Sequence, residues 1–181
     1  VLYSSLANLP VIFSAVQLLF INLLTDSLPS IAVGVEPKNE DILDEKPRDP
    51  NEAILTKRFS SKLIIEGILI AVFIIIAFYI GLKDSALKGS TMAFATLCLA
   101  RLFHGIDYRG QRNVFAIGFF KNKFSLIAFG LGFVLLNLVL LIPSLYGVFG
   151  ITKIEPINFL QIFILSLIPT VLIQIYKTIK Y

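Results

Sequence analysis

The sequence predicts an all-α fold: a polytopic bundle of five transmembrane helices, preceded by the end of one more helix. Two observations carry this prediction. The 181 residues are 56% hydrophobic with a mean hydropathy of +0.84, above the roughly 45–50% apolar content of soluble domains. The apolar residues also form blocks near the ~20 residues that a membrane span needs. Soluble and nucleic-acid-binding classes are thereby excluded, and the net charge of +4 is a topology signal.

The chain divides into a short lead-in and one membrane domain. Residues 1–9 are interpreted as the end of a preceding helix and an outer turn, and 10–181 as a C-terminal transmembrane domain. The chain opens on Val1 without a leader pattern, so we expect it to be part of a longer protein. The third segment is shorter than ~20 residues and is the weakest span. The predicted helices are about 11–35, 63–82, 91–105, 124–148 and 157–176.

Positive charge predicts the orientation of these helices. The loop 36–62, the loop 106–123 and the tail after 176 together hold twelve Lys and Arg residues, whereas the loops on the opposite side hold three. Because cytosolic loops are enriched in Lys and Arg, the first set is expected in the cytosol. The first helix then runs inward, and the C-terminus is cytosolic.

A polar cluster interrupts the first apolar block. At helical spacing Asn22, Thr25 and Asp26 share one face. Pro29 has no N–H, so the carbonyl of Thr25, four residues earlier, loses its usual partner. An amide, a hydroxyl, a carboxylate and a freed carbonyl at membrane depth are costly and usually handle ions or protons. The residues therefore predict part of a cation site, with a polar packing cluster between helices as the alternative.

Two motifs carry a family resemblance. The first is Asn22-Leu-Leu-Thr-Asp-Ser-Leu-Pro-Ser30 followed by Glu36-Pro37, and the second is Asp41-Ile-Leu-Asp-Glu-Lys-Pro-Arg48. Together they resemble the sixth transmembrane helix and following loop of P-type calcium-transporting ATPases of the sarcoplasmic-reticulum type. The later segments follow the order of helices seven to ten in that family. The loop departs from the family at Glu45-Lys46, where an Arg-Pro pair is common.

The resemblance implies the C-terminal membrane part of an ATP-driven calcium pump, which supplies part of the intramembrane calcium site. It also implies that the loop with Asp41 and Asp44 faces the cytosolic domains and couples to them. In that family the sixth helix unwinds at its middle, and residues matching Asn22, Thr25 and Asp26 ligate calcium. Sodium/potassium pumps have aspartate at the position of Asn22, so asparagine favours calcium. Calcium takes ~6–8 oxygens, and this cluster supplies roughly four. The family's fourth and fifth helices, absent here, would supply the remaining ligands.

The same resemblance implies what this stretch lacks. No Asp-Lys-Thr-Gly phosphorylation motif occurs in it, so no catalytic or cofactor-binding residues are expected here. Mg²⁺ and ATP would bind the cytosolic domains of the parent pump, and the fragment alone should be inactive. The expected partners are the lipid bilayer, the remaining helices and those cytosolic domains, with no nucleic acid. The brief tail after the last helix suits a bacterial plasma-membrane pump.

Arg101 is the departure with most consequence. The resemblance aligns it with a ligating glutamate of the two-calcium pumps, and a guanidinium repels a divalent cation. We therefore expect Arg101 to remove one of two ion sites, so that a single calcium ion moves per cycle. It would seek a partner such as Asp26, and the alternative is a residue snorkelling to the cytosolic interface.

Two other functions remain open at this stage. One is a pump for another cation, namely Na⁺, Mn²⁺ or H⁺, and the other is a non-enzymatic helix-bundle membrane protein. Other polar residues receive structural interpretations: Glu66 pairs with Lys62, Asp107 is a solvated or capping charge, and Asn137 bonds between helices. His104 and Cys98 are expected to be structural.

Overall fold

The computed structural model describes residues 5–6, 9–35, 55–107, 114, 118 and 120–180. Every element within these ranges is helical, which confirms the all-α prediction. In chain order the elements are α1 (Ala15–Phe20), a π-helical segment (Ile21–Asp26), α2 (Ser27–Gly34), α3 (Lys57–Leu82), α4 (Ala86–Asp107), α5 (Lys123–Leu141), a 3₁₀ turn (Pro143–Leu145), α6 (Tyr146–Phe149) and α7 (Pro156–Lys180).

Four of the helices, α1, α3, α4 and α5, begin at a polar side chain that caps the first turn. The oxygens of Ser14, Thr56, Ser85 and Asn122 accept hydrogen bonds from backbone N–H groups three residues later, at 3.2, 3.2, 3.0 and 2.9 Å. These bonds satisfy donors that a helix start leaves without an intrahelical partner. These capping polar residues, which interrupt an apolar sequence, therefore fix where the helices begin.

Helix α4 lies at the centre of the bundle. It packs against α3, α5, α7, α2 and the π-helical segment, and from Gly89 to Ala100 every residue except Leu97 is buried. Cys98 is fully buried, as its structural interpretation predicted. The surrounding helices turn many large apolar side chains outward, as expected for helices that face lipid.

Contacts at the two ends of α4 set the helix directions. At one end the Thr152 N–H donates to Thr91 Oγ1 at 3.0 Å, and at the other the Lys177 ammonium donates to the Asp107 carbonyl at 2.6 Å. Helix α7 therefore runs parallel to α4, whereas α3 returns antiparallel to it through a short turn. We call the end where α1 begins the Gln17 end and the end where α7 finishes the Lys177 end.

The third predicted helix is longer than the sequence indicated. It extends from Ala86 to Asp107, rather than 91–105, and has 22 residues. At 1.5 Å per residue this is ~33 Å, which matches the ~30 Å hydrocarbon core. Of the described helices, four are both long and apolar enough to cross a membrane, and α4 is outside that group. Its small and hydroxyl residues face other helices, so burial rather than lipid determined its composition.

The fourth predicted helix, 124–148, is interrupted. Helix α5 ends at Leu141, Ile142 is extended with φ −91° and ψ 109°, and Pro143 begins a 3₁₀ turn. The ring of a proline excludes the α conformation from the residue before it, which explains the break. Asn137 was predicted to bond between helices, and this was wrong: its amide donates to Phe133 O of the same helix at 2.8 Å.

Some sequence interpretations fall outside the described residues. The loop carrying Asp41 and Asp44, assigned to coupling with cytosolic domains by the resemblance, lies there, as does most of the preceding helix end at 1–9.

Candidate functional site

The polar motif lies in a π-helical segment between two α-helices. Ile21–Asp26 has the wider π-helical turn, and helix continues without a break from Ala15 to Gly34. Ser27 Oγ donates to the Asn22 carbonyl at 3.3 Å, across the five-residue spacing of a π turn. The resemblance implied an unwound middle, whereas the structure has a widened helix here. Pro29 cannot serve the carbonyl four residues before it, and π turns inside helices are frequent at functional sites.

The structure describes all of Asn22, but only the backbone of Thr25 and Asp26. Asn22 is exposed, as is the neighbouring Leu23. The backbone of Thr25 and Asp26 lies in the same π-helical segment, but their side chains are outside the described part of the structure. Among the described side chains, no group of three His, Cys, Asp or Glu residues is arranged so that it could hold a metal ion. The backbone segment that carries all three predicted ligands packs against α4.

Helix α2 holds the segment from its other side. A Cβ added at Gly105 of α4 would come within 2.7 Å of Pro29 Cβ, so α2 and α4 touch closely there and the position needs a glycine. Asn122, which is 1% exposed, donates its amide to the Ala32 carbonyl at 2.8 Å. These contacts fix α2 against α4 and α5, so the residues that follow the motif have a defined position.

Arg101 is half-buried on α4. It lies between the buried residues Ala100 and Leu102, on the helix that packs against the π-helical segment. The sequence singled out Arg101 as a cation that removes one ion site, and this role stays a prediction.

A buried charged pair lies at the Lys177 end. Lys177 Nζ is 3.0 Å from Asp107 Oδ1, and the side chains are 3% and 2% exposed. The Gln174 amide also donates to Asp107 Oδ1, and Gln174 Oε1 accepts from the Val114 N–H at 3.1 Å. The prediction that Asp107 is solvated or caps a helix was wrong, because α7 covers it. The available signal was a pair of long polar side chains, Gln174 and Lys177, at i, i+3 near the end of an apolar block.

A histidine connects this pair to α3. His104 Nδ1 lies 3.6 Å from Asp107 Oδ2, and its Nε2 lies 3.6 Å from Glu66 Oε2. Glu66 also lies 3.7 Å from Lys62 Nζ, the pair that the sequence predicted. Glu66, His104, Asp107 and Lys177 thus form one buried, connected group that joins α3, α4 and α7, and it gives His104 a structural position.

Comparison of the sequence with known proteins identifies its family. The family model described as "Cation transporting ATPase, C-terminus" matches residues 10–179. The calcium-transporting ATPase of Bacillus subtilis is 33% identical over 95% of this chain and 20% of its own length. Calcium-transporting ATPase lmo0841 of Listeria monocytogenes is 42% identical over 77% of this chain and 16% of its own length.

A mammalian relative shows the same pattern. Calcium-transporting ATPase type 2C member 1 of Mus musculus is 31% identical over 98% of this chain and 20% of its own length. The chain thus spans about a fifth of the length of the relatives it matches. Since the family model covers nearly all of the sequence, the chain belongs to the C-terminal membrane region of the cation-transporting ATPases.

Proposed function

We propose that this chain is the C-terminal membrane part of an ATP-driven calcium pump and contributes ligands to the transported ion. The observation that carries the proposal is the change from α to π turns over Ile21–Asp26, within a helix long and apolar enough to span a membrane. Its relatives are named calcium-transporting ATPases, which supports calcium as the substrate.

The ligands in this proposal are Asn22, Thr25 and Asp26. The exposed Asn22 faces away from the packed side of its helix, which leaves it available to helices from elsewhere in a longer protein. Those helices would complete the ~6–8 oxygens that calcium takes. Cytosolic domains of the parent would bind Mg²⁺ and ATP, and the loop 36–62 would face them.

The charge distribution supports an orientation for this proposal. With the positively charged loops inside, the Lys177 end would face the cytosol and the Gln17 end would face outward. The likeness to bacterial relatives supports a bacterial plasma membrane as the location, where a pump in this orientation would expel calcium.

Replacing Asp26 tests the site. In the intact parent protein, Asp26→Asn should abolish the stimulation of phosphoenzyme formation from ATP by micromolar calcium. Removing a group that merely supports a ligand costs 10–100-fold in metal affinity, so losing the carboxylate itself should raise half-saturating calcium by about 100-fold or more. Phosphoenzyme formation is measured over a calcium titration, with a parallel manganese titration.

A matched substitution controls for loss of charge. Asp84 lies in the turn between α3 and α4, with a side chain 58% exposed, and Asp84→Asn should leave the calcium titration unchanged. Equal phosphorylation of the wild type with and without calcium would contradict a calcium pump. Stimulation by manganese alone would show that the other-cation alternative is correct.

Arg101 gives a prediction about stoichiometry. We propose that its guanidinium excludes a second calcium ion, because like charges repel strongly at low dielectric. Arg101→Glu should therefore allow the intact parent to occlude a second calcium ion per phosphoenzyme, measured with radioactive calcium. Arg101→Gln removes the cation without supplying a carboxylate, so it should gain no second ion. Unchanged stoichiometry and affinity in the Arg101→Glu variant would refute this role.

A further inference from the structure

The Gln17 side chain is a buried amide at the start of α1. It is 0% exposed. Its Nε2 donates to the carbonyls of Phe149 at 3.0 Å and Gly150 at 3.3 Å. Its Oε1 accepts from the Ser14 N–H at 3.1 Å and lies 3.5 Å from Ser90 Oγ. Both donors of the amide and one acceptor position of its oxygen are therefore used, since the Ser90 hydroxyl gives its one proton to another group. Neither Glu nor Leu at this position can supply the two donated bonds.

The neighbours of Gln17 tie the same point to two further elements. Ser14 Oγ donates to the Phe149 carbonyl at 3.3 Å, and Ser90 Oγ of α4 donates to the Ile12 carbonyl at 2.7 Å. One turn further on, the Phe20 ring meets Phe94 of α4 and Phe149 edge-on, with centroids 5.7 and 5.4 Å apart. We call Ser14, Gln17 and Ser90 the amide anchor. It joins the start of α1 to α4 and to the end of α6.

The anchor lies directly before the segment that carries the predicted ligands. Helix α1 has only six residues before the π-helical segment begins at Ile21, so the anchor lies within two turns of the predicted ligands. Consecutive helical residues are rotated by ~100° about the axis, so a rotation of α1 changes the direction of the residues that follow it. The direction in which Asn22 projects is therefore set from this side by the bonds of α1, and from the other side by the contacts that hold α2.

We propose that Gln17 is a positioning residue for the cation site, which fixes the rotation of Ile21–Asp26 against α4. This inference rests on the proposed function for its effect on calcium, and on the contacts above for its mechanism. Gln17 touches no ion; it acts through the backbone of α1. Its loss should weaken ion binding. The maximal level of phosphoenzyme should stay unchanged, because that level depends on other domains.

The test is a calcium titration of phosphoenzyme formation in the intact parent protein. Gln17→Leu should raise half-saturating calcium about tenfold, the factor that one lost buried hydrogen bond represents, with the maximal level retained. Thr91→Val is the matched control: Thr91 Oγ1 accepts from the Thr152 N–H at 3.0 Å and is equally buried, but it does not bond to α1. It should leave half-saturation unchanged. An unchanged titration for Gln17→Leu, or an equal shift for Thr91→Val, would overturn the proposal.

A second measurement separates this inference from the proposed function. Hydrogen exchange of the amides of residues 21–26, without calcium, should be about tenfold faster in Gln17→Leu than in wild type. Ser90→Ala, a milder change if Gln17→Leu fails to fold, should accelerate it less. Faster exchange in a parent that calcium does not stimulate would leave the anchor correct and the calcium pump wrong. Unchanged exchange in both variants would show that the anchor does not hold the segment.

Discussion

Lys177→Met should lower the free energy of unfolding of the intact parent protein by about 3–5 kcal/mol, the cost of leaving a buried charge without its partner. The Lys177 ammonium contacts both the Asp107 carbonyl at 2.6 Å and Oδ1 at 3.0 Å. Methionine keeps the length of the side chain but supplies no donor, so the Asp107 carboxylate stays buried with the Gln174 amide as its remaining described donor. Thermal unfolding in detergent, followed by the loss of monodisperse protein, measures the change.

A double variant separates the charge from the packing. Lys177→Met combined with Asp107→Leu removes both charges, and buried ion pairs replaced by apolar residues are often near neutral in stability. The double variant should therefore be more stable than Lys177→Met alone.

Lys180 provides the control on the same helix. It is exposed and donates to the Tyr176 hydroxyl at 2.7 Å. Lys180→Met should change stability by no more than about 0.5 kcal/mol, as surface substitutions usually do. Equal effects of Lys177→Met and Lys180→Met would show that the buried pair does not hold α7 to α4.

The fold could be predicted because lipid imposes a simple rule on the outer helices. Long apolar blocks identify α3, α5 and α7, since side chains facing lipid must be apolar. The central helix α4 escapes that rule because its neighbours are other helices, and its Gly, Ser and Thr residues shortened the predicted span. The break after Leu141 was missed although Pro143 is visible in the sequence. The choice between a kink and a break depends on packing, which sequence pattern does not report.

The sequence singled out the segment that is π-helical, but not the residues that support it. Asn22, Thr25 and Asp26 were singled out because polar residues are conspicuous in an apolar block, and their role as ligands stays a prediction. Gln17 was passed over, although the Ser14-x-x-Gln17 spacing is that of a capping box, and the structure contains that box. Its bonds to residues 149–150 join positions 132 and 133 apart in sequence. No local pattern predicts contacts at such separation.

Gly89→Ala should open the turn between α3 and α4 and destabilise the intact parent by roughly 3 kcal/mol, the upper part of the range for overpacking by one methyl group. The added Cβ would lie 2.9 Å from the Phe78 carbonyl oxygen and 3.2 Å from the Leu82 backbone nitrogen, and helical backbone atoms cannot yield as a flexible side chain does. Gly81 faces the same crossing, where an added Cβ would be 2.7 Å from the Lys88 carbonyl oxygen.

Gly67→Ala on α3 is the matched control, since nothing lies within 4 Å of its Cβ position, and it should leave stability unchanged or slightly raised. Thermal unfolding of the three proteins decides the matter: a Gly89→Ala variant as stable as Gly67→Ala would mean that the two helices separate without cost, and that α4 is held by α7 and α5 instead.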